Sequence, residues 1–221
     1  MNVFDIIGPV MIGPSSSHTL GAARAGLVAR RLLGEEVARA DVLLFGSFAQ
    51  TYAGHGTDRA IVGGLLGFPP DDTRLRDSFR YARKACMEVH FSLSGEEAAH
   101  PNTVRLALCG KDGGSVSVVV QSVGAGAVHV VEIDGALVSF SAEYETTVIF
   151  NVDRPGIVAR VSALFADYGI NIAFMRVFRK YEGKDAIMVI ETDQTVAGGI
   201  LDALRTEGNI ARVITIPPLN V

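Results

Sequence analysis

The stretch TVIFNVDRPGIVARVSALFADY, residues 147–168, decides the fold of the C-terminal third of the chain. Thr147–Val152 reads as a strand, and Asp153-Arg154-Pro155-Gly156 as a turn. In that turn Pro155 presets φ and Gly156 permits a close backbone approach. Ile157–Tyr168 reads as a helix. Downstream, Ile170–Arg179 and Ala186–Glu191 read as strands flanking the turn Tyr181-Glu182-Gly183. A helix at Val196–Thr206 and a strand at Ile210–Ile216 complete the run. Strand–helix–strand–strand–helix–strand is the ferredoxin-like arrangement, and a chain of roughly 75 residues suffices for it. The polar stretch SAEYETT, 141–147, breaks the preceding pattern. Two domains are therefore expected, residues 1–143 and 144–221.

Upstream the order differs. HTLGAARAGLVARRLL, 18–33, reads as a helix with Ala22, Ala25, Val28 and Leu32 on one face, Ser17 as N-cap and Gly34 just past the end. VLLFGSF, 42–48, reads as a buried strand, 59–66 as a helix capped by Thr57 or Asp58, and 72–87 as a third helix. Alternation at Val89, Phe91 and Leu93 begins a strand region. Hairpins are expected across KDGG, 111–114, and across Asp134-Gly135. Helices followed by an antiparallel sheet argue for an α+β fold.

The chain has 221 residues, 48% hydrophobic, enough to bury a sizeable core. No apolar run is long enough to span a bilayer, and MNVFDIIGPV carries an acid where a secretory signal carries basic residues. A cytoplasmic protein without a membrane partner is expected. The net charge of −4, with both signs scattered, argues against a nucleic-acid partner. The two cysteines, Cys86 and Cys109, read as buried free thiols; a cluster or zinc site held by this chain alone needs more ligands at the right spacing.

Two short motifs carry chemistry. GPSSSHT, 13–19, runs into a helix whose first amides lack partners. Those amides, the helix dipole and the hydroxyls of Ser15, Ser16, Ser17 and Thr19 suit an anion such as a carboxylate or phosphate, with His18 beside it. Gly8 and Gly13 let backbone come close. YAGHGTD, 52–58, also leads into a helix. His55, between two glycines, is poorly placed as a core residue, and Asp58 could orient its imidazole. Two such histidines can share one small anionic ligand, one as base and the other as acid or anchor. Taken singly, each motif also reads as a plain capped loop or turn. His100-Pro101-Asn102 is a third candidate, whereas His90 and His129 read as structural. G-x-S-x-G, H-E-x-x-H and phosphate-cradling motifs are absent.

GPSSSHT and GHGTD together, with HPN later, resemble the beta chain of the two-chain, iron–sulfur-dependent bacterial L-serine dehydratases. FDIIGPVMIGPSSSHT, FGSFAQTYAGHGTDRAIVGGLLGF and an ACT-like terminal domain extend the likeness over nearly the whole chain. The resemblance implies conversion of L-serine to pyruvate and ammonia by a 4Fe-4S cluster, without pyridoxal phosphate. It implies that the cluster cysteines lie on a partner alpha chain and that no metal is held by this one. The first domain is similar to the allosteric substrate-binding domain of some phosphoglycerate dehydrogenases.

By this resemblance His55 is the Cα base and His18 a second essential group. Ser15, Ser16, Ser17 and Thr19 bind the serine carboxylate or hold the loop. Thr57 and Asp58 fix His55 or meet the ammonium, and Asn102 lines the same pocket. Many relatives carry a lysine where Ala53 stands, so any role of that lysine is lost or moved here. The resemblance also implies a ligand site at the first strand–helix turn of the ACT domain, Asn151, Asp153, Gly156 and Ile157, with Asn171 facing it. That region is linked to a monovalent cation in some relatives, and such domains pair, so a homodimer is expected. The competing reading is a stand-alone amino-acid sensor without catalysis; retention of both His18 and His55 argues against it.

Overall fold

The computed structural model describes residues 13, 15–179 and 183–219. Two compact units meet in the chain at the Asp134-Gly135 turn.

The first unit opens with one π-helical turn, Ser16–Gly21, which continues as α1, Ala22–Leu33. Then follow β1 (Val37–Leu44), α2 (Gly46–His55), α3 (Thr57–Leu65), a 3₁₀ turn (Thr73–Asp77) and α4 (Ser78–Lys84). Strands β2 (Glu88–Leu93), β3 (Thr103–Gly110), β4 (Ser115–Gly124) and β5 (Ala127–Ile133) complete it. The sheet order is β2-β1-β3-β4-β5, and β6 (Ala136–Phe140), beyond the turn, is the last strand of the same sheet. The sequence reading puts the domain boundary later, at 143/144; β6 accounts for the difference. Asp134 and Gly135 both have positive φ, as a type I′ hairpin requires.

Several expectations need correction. The sheet is mixed, because β2 lies parallel to β1, reached by the long crossover through α2, α3 and α4. The expected strand 42–48 ends at Leu44, and Gly46–His55 is helix. The helix expected at 72–87 is split into the 3₁₀ turn and α4. The N-cap of the first helical segment is Ser15, not Ser17, and the N-cap of α3 is Gly56, not Thr57 or Asp58. Cys86 and Cys109 are free but exposed: Cys86 sits past the end of α4 with φ of 54°, and Cys109 faces out of β3.

Helices α1 and α3 cross closely. A Cβ on Gly26 would lie 2.5 Å from the Ile61 carbonyl oxygen, and one on Gly64 would clash with the Ala23 carbonyl. Glycine at both positions lets the backbones touch. Val28, Leu32, Ile61 and Leu65 are buried around that crossing, with Val42, Leu44, Leu106 and Leu108 on the sheet. Burial of this apolar surface is the main stabilising term.

The second unit holds β7 (Glu145–Val152), α5 (Ile157–Asp167), β8 (Ile172–Arg179), β9 (Asp185–Thr192), α6 (Gly198–Thr206) and β10 (Ile210–Ile216). Its sheet order is β10-β7-β9-β8 with antiparallel neighbours, the ferredoxin-like pattern expected from the sequence. Ile157, Val161 and Phe165 of α5 and Ile200 and Leu204 of α6 pack with Ile149, Met188 and Ile190 in its core. Of the expected turn Tyr181-Glu182-Gly183, only Gly183 is among the described residues.

Candidate functional site

The π turn presents His18. A π turn is rare and is found mostly at functional sites. Ser15 Oγ accepts from the His18 backbone N–H at 3.3 Å and faces His18 Nδ1 at 3.4 Å. The other ring nitrogen, Nε2, lies 3.1 Å from Ser47 Oγ. Each imidazole nitrogen therefore faces a hydroxyl, which can donate or accept as the tautomer requires. The Phe48 ring packs edge-on against His18 at 5.3 Å.

Ser47 is free to serve His18 because α2 is capped by backbone. The Pro101 carbonyl accepts from Ser47 N–H at 2.7 Å and from Phe48 N–H at 3.4 Å. Gly46, with φ of 50°, is needed there: a Cβ would lie 2.6 Å from the Pro101 oxygen. The HPN segment thus clasps the start of α2.

His55 is the last residue of α2, and Gly56, in the left-handed region with φ of 70°, turns the chain directly into α3. His55 therefore stands between two helices, not in a loop before one. It is exposed, and its ring meets His18 edge to face, centroids 4.9 Å apart and planes at 88°. The Thr19 hydroxyl, buried, donates to the His55 carbonyl at 3.4 Å. Burial, and then the neighbouring His55, hold the His18 pKa below its ordinary 6.5, while a hydrogen bond with the Ser47 backbone pulls the other way. His18 is therefore neutral near pH 7.

A cavity of about 380 Å³ opens at this point, lined among others by Gly13, Thr19, His55, Arg59, Leu75 and Arg76. Its size suits a small-molecule site. The sequence reading brings His18, Thr19 and His55 together but misses Ser47, Arg59 and Arg76. Ser47 was hidden inside the expected strand. Arg59 directly follows GHGTD, and its position in the first turn of α3 was the available signal.

The remaining expected residues have other partners. Ser17 gives its carbonyl to Ser122 Oγ at 3.0 Å, and Ser16 is half-buried in the π turn. Thr57 is fully buried with its hydroxyl unpaired. Asp58 does not hydrogen-bond His55: at the start of α3 its carboxylate accepts from the Arg59 N–H at 2.8 Å, and burial raises its pKa. Asn102 does not line the cavity; its backbone N–H donates to His100 Nδ1, its carbonyl accepts from Ser122 N–H, and its buried Oδ1 is unpaired. Gly8 lies outside the described residues.

In the second unit Asn151 is buried, with Nδ2 donating to the Val152 carbonyl and Oδ1 unpaired. Asp153 Oδ2 accepts from Arg179 Nη1 and from Gly183 N–H, each at 3.3 Å. Gly156, with φ of 88°, is the N-cap of α5, and Ile157 is in the core. Asn171 does not face this turn. It precedes Ile172, which pairs with Thr192 opposite Glu145, whereas Val152 pairs with Asp185 at the other end of the sheet. The reason is topological: α5 carries the chain back across the sheet before β8 begins.

Among the described residues no group of three or more His, Cys, Asp or Glu side chains could hold a metal ion. No described helix is long and apolar enough to cross a membrane.

Residues 2–96 match the family model described as serine dehydratase beta chain, and residues 146–209 match the ACT domain. The chain is 41% identical over 215 residues to the probable L-serine dehydratase beta chain of Bacillus subtilis, covering 97% of each chain. It is 34% identical over 204 residues to the L-serine dehydratase beta chain of Peptoniphilus asaccharolyticus, covering 92% of each. A shorter likeness, 39% identity over 87 residues, links 39% of this chain to 17% of the D-3-phosphoglycerate dehydrogenase of Methanocaldococcus jannaschii.

Proposed function

Because the chain belongs to the serine dehydratase beta-chain family, we propose that it is the beta subunit of an L-serine dehydratase, a lyase that forms pyruvate and ammonia together with an alpha chain. The observation that carries this reading is the edge-to-face pair of His18 and His55, with His55 opening on the cavity.

The reaction removes the Cα proton of serine and expels its hydroxyl as water. The 2-aminoacrylate so formed tautomerises to an imine, which takes up water to give pyruvate and ammonia. Within this chain His55 is the proton acceptor: it is exposed and lines the cavity. His18, half-buried and neutral, packs against it and fixes its position. Ser15 and Ser47 hold His18, and Thr19 holds the backbone of His55. Ser16 and Ser17 belong to the π turn and act by keeping it in place, so loop support is favoured over direct carboxylate binding. Thr57 and Asn102, each with an unpaired buried oxygen, and half-buried Asp58 do not line the cavity and support the elements around it.

The side chains described here do not fit an iron–sulfur cluster: no convergent ligand set is present, and Cys86 and Cys109 are exposed on separate elements. We assign the 4Fe-4S cluster of the family resemblance to the alpha chain. The ACT domain serves regulation and pairing with a second copy, with Asn151, Asp153 and Gly156 as the candidate ligand turn for an amino acid or a monovalent cation. Cytoplasmic placement fits this chemistry.

The test is anaerobic co-expression with the alpha chain, followed by a pyruvate assay on L-serine. Pyruvate formation requiring both chains is expected, and His55→Ala is expected to lower kcat by about 10²–10⁴-fold. Full activity of His55→Ala would remove the base assignment. Tight serine binding by the lone chain, with no activity from the pair, would establish a sensor instead.

A further inference from the structure

The cavity beside His55 is electrostatically one-sided. Arg59, in the first turn of α3, and Arg76, on the 3₁₀ turn, both line it, and among the described residues no Asp or Glu does. Neither guanidinium has an ion-pair or hydrogen-bond partner among the described residues. The contrast with Arg74 is instructive. Its guanidinium is tied to Asp72 at 2.9 Å and lies over the Phe68 ring at 4.0 Å, so it is already committed. Asp58, the acid next to Arg59, hydrogen-bonds the Arg59 backbone N–H and meets its guanidinium only through space, by charge. Two guanidiniums with all their N–H donors open, facing one concave space, form a positive site, which draws in anions and can grip a carboxylate bidentately. Two of the hydroxyls of GPSSSHT, those of Ser15 and Thr19, are meanwhile engaged with His18 and the His55 carbonyl.

We propose that Arg59 and Arg76 form the carboxylate clamp of this site, anchoring the α-carboxylate of an amino-acid substrate so that its Cα–H faces His55. Arg59 and Arg76 are thus specificity-determining residues. The clamp admits α-amino acids and rejects their amides and decarboxylated amines. This rests on the serine dehydratase reading, and the two can fail separately.

The assembled alpha–beta enzyme is assayed with L-serine at several ionic strengths. In Arg59→Gln/Arg76→Gln, KM is expected to rise by about tenfold or more with kcat within about twofold, the signature of lost ground-state anchoring. The wild-type kcat/KM should fall with added salt, and that of the double variant should depend on salt much less. Arg59→Lys/Arg76→Lys should recover part of the loss, since it keeps the charge without the fork. An unchanged KM, or an unchanged salt dependence in the double Gln variant, overturns the clamp. If the wild-type pair is inactive on L-serine, the dehydratase reading falls, and the clamp is judged on the full beta chain alone by NMR. L-Serine must then shift the Arg59 and Arg76 side-chain N–H signals and L-serinamide must not; equal shifts, or none, overturn it.

Discussion

The imidazoles of His18 and His55 stand perpendicular with centroids 4.9 Å apart, and Ser47 lies on the far side of His18, 3.1 Å from its Nε2. One ring is half-buried and fixed at both nitrogens, and the other is exposed at the cavity. This asymmetry separates a positioning role from a proton-accepting one.

The buried ring makes the first unit acid-sensitive. The folded pKa of His18 is lowered from 6.5, chiefly by burial. Below pH 6.5 the unfolded chain then binds more protons than the folded one, so stability rises with pH in that window. Urea unfolding is expected to show stability falling as pH drops from about 6.5 through the lower folded pKa of His18. His18→Asn should flatten that part of the curve, and an identical slope in both proteins would refute it.

Ser47→Ala removes the hydroxyl facing Nε2. Stability should fall by about 0.5–1.5 kcal/mol, as for one hydrogen bond. The His18 pKa should keep its direction, because the Ser47 contribution that raises it comes from the backbone, which alanine retains. Histidine NMR titration reads this directly. In the assembled enzyme kcat should drop with little change in KM.

Thr57 is fully buried with its hydroxyl unpaired. Thr57→Val keeps the shape and removes the unsatisfied group, so thermal unfolding of the chain should show stability unchanged or raised by about 1 kcal/mol. If pyruvate formation by the assembled enzyme is nonetheless lost, the hydroxyl meets substrate or the alpha chain there.

Gly46 has φ of 50° and sits against the Pro101 carbonyl. Gly46→Ala combines backbone strain with a clash and should cost about 1–3 kcal/mol in denaturant unfolding. It should also displace the Ser47 backbone and lower the His18 pKa further, since that backbone hydrogen bond is what raises it. A normal His18 titration in this variant would separate the clasp from the histidine.

The ferredoxin-like unit was legible because its signals are local: a Pro-Gly turn opens α5, and strand and helix periods alternate cleanly. Helix α2 was not. Of its ten residues only Phe48 is buried, two are glycine, and no side chain caps it. Its first amides are served by Pro101, a partner distant in sequence. The parallel pairing of β1 with β2 was hidden for a similar reason, since it depends on where three helices deliver the chain. The histidines were visible as residue types at unusual places, but their mutual contact, and that of Ser47 with His18, depend on that same packing. Asn171 was misplaced because proximity in sequence to a helix end does not say which end of the sheet the chain has reached.

The crossing of α1 and α3 has a mechanical consequence. His18 hangs from the segment leading into α1, and His55 stands two residues ahead of α3. At Gly26 and Gly64 the two helices rest main chain on main chain. The gauge between the imidazoles is therefore set by the radii of peptide atoms, which no rotamer change can alter. Residues on the outer faces can vary without retuning it, whereas one methyl group at the crossing, well away from either ring, would wedge the pair apart.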